Sequence, residues 1–182
     1  HSGDSSALVS AVSTDTRTIG DGSVFFALAG ENFDAHNFLD KAAAAGATAL
    51  VVERVPEGMD LGAAAVVVVE DTLSALQTFS AWYIHQLDVR VVGITGSNGK
   101  TSTKDFTKSV VSERFRVNAT VGNFNNHIGL PLSVLNTEEE HEVCIFEMGM
   151  NHAGEIAPLC EIAKPEIGVI TNIGTAHIEF LG

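Results

Sequence analysis

Short apolar runs separated by polar and glycine-containing punctuation set the rhythm of this chain. Val24–Ala29 and Ala47–Val52 are β-branched and aromatic runs of strand length, and between them Ala35–Ala45 has an alanine-rich, helix-like composition ended by Gly46. That order predicts one β-α-β unit. A further strand is predicted at Ala65–Val69. Asp71 then suits the N-cap of a helix from Thr72 to Gln86, with Leu73, Leu76, Phe79 and Tyr83 at helical spacing. The polar triplet Gln86–Asp88 reads as a joint. Beyond it, Arg90–Thr95 opens a second pattern: a buried strand, a glycine-rich turn, helix Thr101–Glu113, strand Phe115–Asn118 and an asparagine-rich loop. A helix from Pro131, strand Glu142–Met148, helix Glu155–Ala163 and strand Glu166–Thr171 follow.

Strands alternating with helices predict the α/β class. Residues 1–86 read as a small N-terminal α/β domain. Residues 87–182 read as a phosphate-loop-type, mostly parallel sheet with helices on both faces, and ligands are expected beyond the carboxyl ends of its strands.

Composition narrows the function classes. Of 182 residues, 45% are hydrophobic and 18% charged, with a mean hydropathy of +0.20, which excludes a disordered chain and a polar coiled coil. The net charge of −13, with 10 Lys and Arg against 23 Asp and Glu, argues against nucleic acid as the partner. The first 88 residues hold 3 basic and 12 acidic groups and the rest hold 7 and 11, so the second half is where an anion is better tolerated. Cys144 and Cys160 each sit in an apolar stretch and read as reduced core thiols, which fits a reducing compartment. Apolar runs such as Leu61–Val69 are far short of a membrane span and no leader pattern precedes them, so no membrane insertion and a cytoplasmic location are expected. The chain starts without methionine and stops at Phe180-Leu181-Gly182 with no helix to close the last unit, and so reads as part of a longer protein.

Gly93-Ile94-Thr95-Gly96-Ser97-Asn98-Gly99-Lys100-Thr101 stands where an apolar strand turns into a helix and reads as a phosphate loop. Glycines let the backbone curl so that its N–H groups and the helix N-terminus face an anion. Lys100 supplies positive charge and Thr101 a hydroxyl for Mg²⁺. The common nucleotide-binding pattern places glycine at position 94, where this chain has Ile. Against an ordinary turn with a surface lysine stands the order strand, Gly-Lys-Thr, helix. Glu147 ends the strand Val143-Cys144-Ile145-Phe146, on the edge beside that loop, where with Thr101 it can hold Mg²⁺; alone it would read as a solvated edge charge. Asn172 and His177 follow another strand. His177 is therefore a candidate for a second metal or for phosphate, beside the plainer reading of a structural histidine. Asn123, Asn125 and Asn126, in the loop Thr120–His127, offer uncharged donors and acceptors that serve turn chemistry or substrate equally. In the first half, Ser13–Thr18 follows an apolar strand. Arg17, in acidic surroundings, pairs with Asp15 or Asp34 as a solvated bridge or receives a ligand phosphate; spacing does not choose.

Over almost the whole chain these segments resemble the Mur ligases of bacterial cell-wall synthesis. TGSNGKT is shared with a wider superfamily that includes folylpolyglutamate synthase, whereas STDTRT, FFALAGENFDAH, GNFNNHIGLP and EMGMNHAGEI are more specific. The resemblance implies that residues 1–86, with their start ahead of His1, grip the uridine diphosphate end of a substrate, and that residues 87–182 bind ATP. The implied reaction is ATP-driven amide formation by a monomer in peptidoglycan precursor synthesis. The terminal carboxylate of UDP-N-acetylmuramoyl-tripeptide takes the γ-phosphoryl group, and the amine of D-Ala-D-Ala attacks the acyl phosphate.

By the same resemblance, Gly96, Ser97, Asn98, Gly99, Lys100, Thr101 and Ser102 cradle ATP, and Thr101, Glu147 and His177 hold metal, with Lys100, Glu147 and His177 forming the catalytic set. Thr120, Asn123, Asn125 and Asn126 line the muramoyl-peptide side, and Ser13, Asp15, Arg17 and Asn32 lie near the UDP pocket. A metal-site lysine and a third domain are expected beyond Gly182, so the 182-residue chain alone is expected to lack ligase turnover. The alternatives are a third-residue-adding Mur ligase, folylpolyglutamate synthase, or a non-catalytic nucleotide-binding module.

Overall fold

The computed structural model describes residues 8–174, and the chain divides into two compact units, His1–Leu76 and Gln77–Gly182. The division falls inside a helix, Thr72–Ile84, ahead of the polar triplet that the sequence marks as the joint. A helix carries its hydrogen bonds straight through such a boundary, so composition shifts after it rather than at it.

The first unit contains a four-stranded parallel sheet in the order β1-β2-β3-β4: β1 Ala11–Ser13, β2 Ser23–Phe26, β3 Ala47–Val52 and β4 Ala65–Val68. The helix between β2 and β3 is split. Ala35–Phe38 forms a 3₁₀ turn and α1 spans Leu39–Ala44. Asp34 Oδ1 accepts the His36 N–H (3.0 Å), and Phe38 leaves the helical region at φ −129° to stack on Phe33, so the first turn winds tighter than the alanine-rich pattern implies. Phe25, Ala27, Leu39, Ala42, Leu50 and Val52 form the core of this unit.

One buried polar knot fixes the carboxyl end of the first sheet. His36, wholly buried, places Nδ1 2.7 Å from Asp34 Oδ1 and accepts the Glu53 N–H at Nε2 (2.9 Å), which fixes its tautomer with the proton on Nδ1. Burial pushes the Asp34 carboxyl up, but the His36 N–H, the imidazole and Arg54 outweigh it and hold the group below its ordinary range. Glu53 Oε1 accepts from the N–H and hydroxyl of Thr72, and that hydroxyl also reaches Ala27 O (2.9 Å). The helix α2, Thr72–Ile84, is capped as expected by Asp71, whose Oδ1 takes the Ser74 N–H. Its buried stripe runs through Thr72, Leu76, Ser80 and Ile84, leaving Leu73, Phe79 and Tyr83 half-buried.

The second unit is also parallel, with strand order β6-β7-β5-β8: β5 Arg90–Thr95, β6 Val117–Ala119, β7 Val143–Glu147 and β8 Ile167–Ile170. Its helices are α3 Lys100–Val111, α4 Gly129–Leu135 and α5 Ile156–Ala163. β6 starts later than the aromatic run predicts, because the Phe115 N–H still bonds Val111 O (3.0 Å) in the turn that closes α3. The strand period of two sorts β7 onto two cores. Val143 and Ile145 join Ile94 and Ala119 on one side, while Cys144 and Phe146 join Leu130, Val134, Leu159 and Ile162 on the other. Both faces are therefore covered at β7, as the alternating pattern implies, while the edge strand β8 leaves Ile167 and Ile170 exposed.

Two outcomes are expected. His36→Leu strands the Asp34 carboxylate and the Glu53 N–H and lowers stability by about 2–4 kcal/mol in urea denaturation, the cost of leaving polar groups unpaired. Iodoacetamide labels half-buried Cys160 in the native chain but spares Cys144, whose thiol burial pushes up to about 11, until urea exposes it, as read by mass spectrometry.

Candidate functional site

The loop after β5 turns at Gly96 with φ +134°, where a side chain would be strained and would run into the Thr171 hydroxyl. Gly99 enters α3 in the left-handed region at φ +80°. The first bond of the helical ladder is Thr103 N–H to Gly99 O (2.9 Å), so the N–H groups of Lys100, Thr101 and Ser102 lie ahead of it, free in the way that makes a helix start an anion site. The N–H groups of Ser97 and Asn98 are used differently from expectation. Ser97 N–H donates to Asn172 O (3.0 Å) and Asn98 N–H to Asn172 Oδ1 (3.0 Å). The Thr171 hydroxyl donates to Asn98 O (2.6 Å), and Gly174 N–H to the Ser97 hydroxyl (2.9 Å). The segment after β8 thus laces the loop from outside. Lys100 Nζ folds back over it to Gly96 O (2.7 Å).

β5 and β7 are neighbours with Ile94 opposite Glu147, which sets that carboxylate at the strand end beside the loop. Glu147 is buried to 2% exposure. Its N–H donates to the Thr120 hydroxyl (3.0 Å) and its Oε1 accepts from Asn125 Nδ2 (2.8 Å). Its Oε2, equally buried, has no protein partner. A buried carboxylate oxygen without a donor is costly unless a cation completes it, so this atom fits Mg²⁺, a hard ion that takes carboxylate oxygens. Thr101 is exposed at the start of α3. His177 lies outside the described residues, and among these no three His, Cys, Asp or Glu side chains converge.

The asparagine loop divides its tasks. Asn125 holds Glu147, and its carbonyl accepts the Gly149 N–H (2.8 Å). Asn126 Oδ1 accepts from Ile128 N–H (3.1 Å) and Gly129 N–H (2.8 Å), so its side chain does turn and cap work at the head of α4. Asn123 is exposed. A polar cavity of about 230 Å³ is lined by Lys100, Asn123, Asn125 and Asn126 and by His127, Asn151 and Glu155. Sequence spacing gave Glu155 no role, yet its Oε2 accepts the N–H groups of Asn151 (2.7 Å) and His152 (3.2 Å), which hold the carboxyl below its ordinary range. Sequence reading also passed over Lys104. It is the fully buried residue of α3, with Nζ on Thr120 O (2.9 Å) and Asp105 Oδ1 (2.9 Å); its signal was the four-residue step from Lys100, which puts both on one helix face.

In the first unit a cavity of about 430 Å³ is lined by the turn Thr14–Arg17 with Phe25, Phe33, Ala35, Phe38 and Lys41. Phe33 and Phe38 stack with centroids 5.3 Å apart, and Lys41 Nζ sits 4.9 Å over the Phe38 ring. Arg17 pairs with Asp15 through Nε (2.9 Å) and Nη2 (2.5 Å), whereas Asp34 belongs to His36 and Arg54. The Arg17 side chain and its own N–H hold the Asp15 carboxyl at about 2. Ser13 is buried under the turn, its hydroxyl bonded to Asp15 O (2.9 Å) and Thr18 Oγ1 (2.9 Å), and so shapes the pocket. Asn32 is exposed beside Phe33.

Residues 94–182 match the family model described as Mur ligase middle domain, and residues 8–83 the one described as Mur ligase family, catalytic domain. The chain is 47% identical over 176 residues to the UDP-N-acetylmuramoyl-tripeptide–D-alanyl-D-alanine ligase of Bacillus subtilis, an alignment covering 96% of this chain and 38% of that protein. Two solved structures are similar. A UDP-N-acetylmuramoylalanyl-D-glutamyl-2,6-diaminopimelate–D-alanyl-D-alanyl ligase from Acinetobacter baumannii has TM-score 0.86 and 38% identity over 94% of this chain and 38% of that one. A MurF ligase from Thermotoga maritima in complex with ADP has TM-score 0.83 and 34% identity over 96% of this chain and 40% of that one. The chain spans between 38% and 40% of the length of these three relatives. With matched stretches in both halves, and with a laced phosphate loop beside a buried strand-end carboxylate, the chain belongs to the Mur ligase family.

Proposed function

We propose that this chain is the substrate-nucleotide and ATP-binding part of a cytoplasmic ligase that joins D-Ala-D-Ala to UDP-N-acetylmuramoyl-tripeptide. The observation that carries the reading is the Glu147 carboxylate, its Oε2 buried and unpartnered, at the end of the strand beside the loop bearing Lys100. The name shared by the curated relative in Bacillus subtilis and the likeness to an ADP-bound relative support the same substrates and ATP.

Residues 1–86 take the UDP end and residues 87–182 take ATP; the family matches, 8–83 and 94–182, lie on either side of the polar joint and support that division. Stacked Phe33 and Phe38 offer a flat apolar face to a base, while Arg17 and Lys41 offer cations to a diphosphate in a unit whose net charge is negative. In the second unit Gly96 to Ser102 receive the ATP phosphates, with the N–H groups at the start of α3 and Lys100 as donors. Glu147 and Thr101 hold Mg²⁺, joined by His177. Bound there, Mg²⁺ offsets phosphate charge as the γ-phosphoryl group meets a substrate carboxylate. The cavity lined by Lys100, Asn123 and Asn125 admits the peptide end, and Thr120 and Asn126 keep its wall in shape.

The test is phosphate release by this chain extended to the length of its relatives. Release is expected only with UDP-N-acetylmuramoyl-tripeptide and D-Ala-D-Ala together, and release indifferent to either substrate would sink the reading. The 182-residue chain alone should bind ATP without turnover. Lys100→Ala should weaken that binding about tenfold or more, the worth of a charge-assisted hydrogen bond, in a calorimetric titration.

The UDP pocket has its own readout. Asp15 titrates at about 2 instead of 3.8, so the Arg17 pair favours the folded chain above the ordinary value and loses its effect as pH falls through about 2; exposure keeps the gain in stability small. Carboxyl NMR should find the Asp15 midpoint raised toward 3.8 both by Arg17→Ala and by saturating UDP, which draws the guanidinium to its phosphates.

A further inference from the structure

Lys104 is the residue of α3 that lies fully inside, at 5% exposure, while Phe106 and Val110 of the same helix are 74% exposed. The buried face of α3 also packs Val111 against the apolar cluster, and an ammonium on such a face is costly unless it finds partners. The ammonium is spent on a carbonyl. Lys104 Nζ donates to Thr120 O at 2.9 Å, and its ionic partner Asp105 has a side chain 61% exposed, which screens that pairing.

Thr120 is gripped at three points. Its N–H extends the ladder to Ile145 O (3.1 Å), its carbonyl is held by Lys104, and its hydroxyl accepts the Glu147 N–H (3.0 Å). The loop that starts at Thr120 delivers Asn125, whose Nδ2 holds Glu147 Oε1 (2.8 Å). Glu147 is thus fixed at its backbone and at one carboxylate oxygen by one short stretch of chain, and the other oxygen is left over.

We propose that Lys104 is a positioning residue for the cation: by clamping Thr120 it fixes the loop that turns Glu147 Oε2 toward Mg²⁺, without itself touching ATP or metal. The proposal rests on the reading of Glu147 as the Mg²⁺ carboxylate. Residues that orient a metal ligand from behind typically change metal affinity by about 10–100-fold when replaced.

The experiment is calorimetric titration of the 182-residue chain with ATP, once in Mg²⁺ and once in EDTA, with urea denaturation of each variant as a check on folding. Lys104→Met is expected to cut the Mg²⁺-dependent gain in ATP affinity about tenfold while leaving affinity in EDTA within about twofold. Thr120→Val, which removes the hydroxyl and keeps the shape, should do the same. The double variant should be no worse than either single one, because both act through one chain of contacts. An undiminished gain in folded Lys104→Met, an equal loss with and without Mg²⁺, or additive losses in the double variant would overturn the proposal. If Lys104→Met does not fold, Thr120→Val severs the next link and an unchanged gain there overturns it alone. An unmutated chain that binds ATP equally in Mg²⁺ and EDTA overturns the Mg²⁺ reading of Glu147 itself.

Discussion

The parallel pairing of β5 with β7, in the register that sets Ile94 opposite Glu147, is what the chemistry of the second unit stands on. It brings two strand ends level, one running into the glycine turn and α3, the other ending on a carboxylate. A shift by one residue would reverse every side chain of β7 and send Glu147 to the opposite face. The two-sided core forbids that slip. Val143 and Ile145 fit the cluster under α3, and Cys144 and Phe146 fit the cluster with α4 and α5, so the site inherits its precision from apolar packing on both faces.

Within that frame the two units use buried polar groups for different ends. In the first unit His36, Asp34, Glu53 and Thr72 satisfy one another and tie the carboxyl ends of its strands to the start of α2. In the second, Lys104 holds Thr120, Thr120 and Asn125 hold the Glu147 N–H and one carboxylate oxygen, and the other oxygen has no protein partner. A closed network rigidifies. A network closed but for a single acceptor points at a ligand.

Local chemistry was the legible part of the sequence. The glycine turn from β5 into α3 could be read because Gly99 and Lys100 act on their own neighbourhood, and the place of Glu147 because a strand end fixes where it emerges. The β-α-β order gave both parallel sheets for the same reason. Boundaries slipped where a side chain or a distant strand decided them: Asp34 and Phe38 tightened the turn before α1, and pairing with Val143–Ile145 set the extent of β6. The asparagine loop could not be sorted from its composition. Whether an asparagine caps its own helix, as Asn126 does, or reaches 22 positions on to a carboxylate, as Asn125 does, depends on tertiary placement that residue type does not encode.

The lacing of the phosphate loop also orders events in time. Its partners Thr171, Asn172 and Gly174 lie 73 to 77 positions further along the chain than the loop residues they hold. At synthesis rates of roughly 5–20 residues per second, those partners leave the ribosome some seconds after the loop has emerged. Through that interval the nascent chain carries the letters of the loop without its shape. The finished shape of the loop is therefore acquired near the end of translating this segment, when β8 has paired with β5 and the residues just beyond it can reach back.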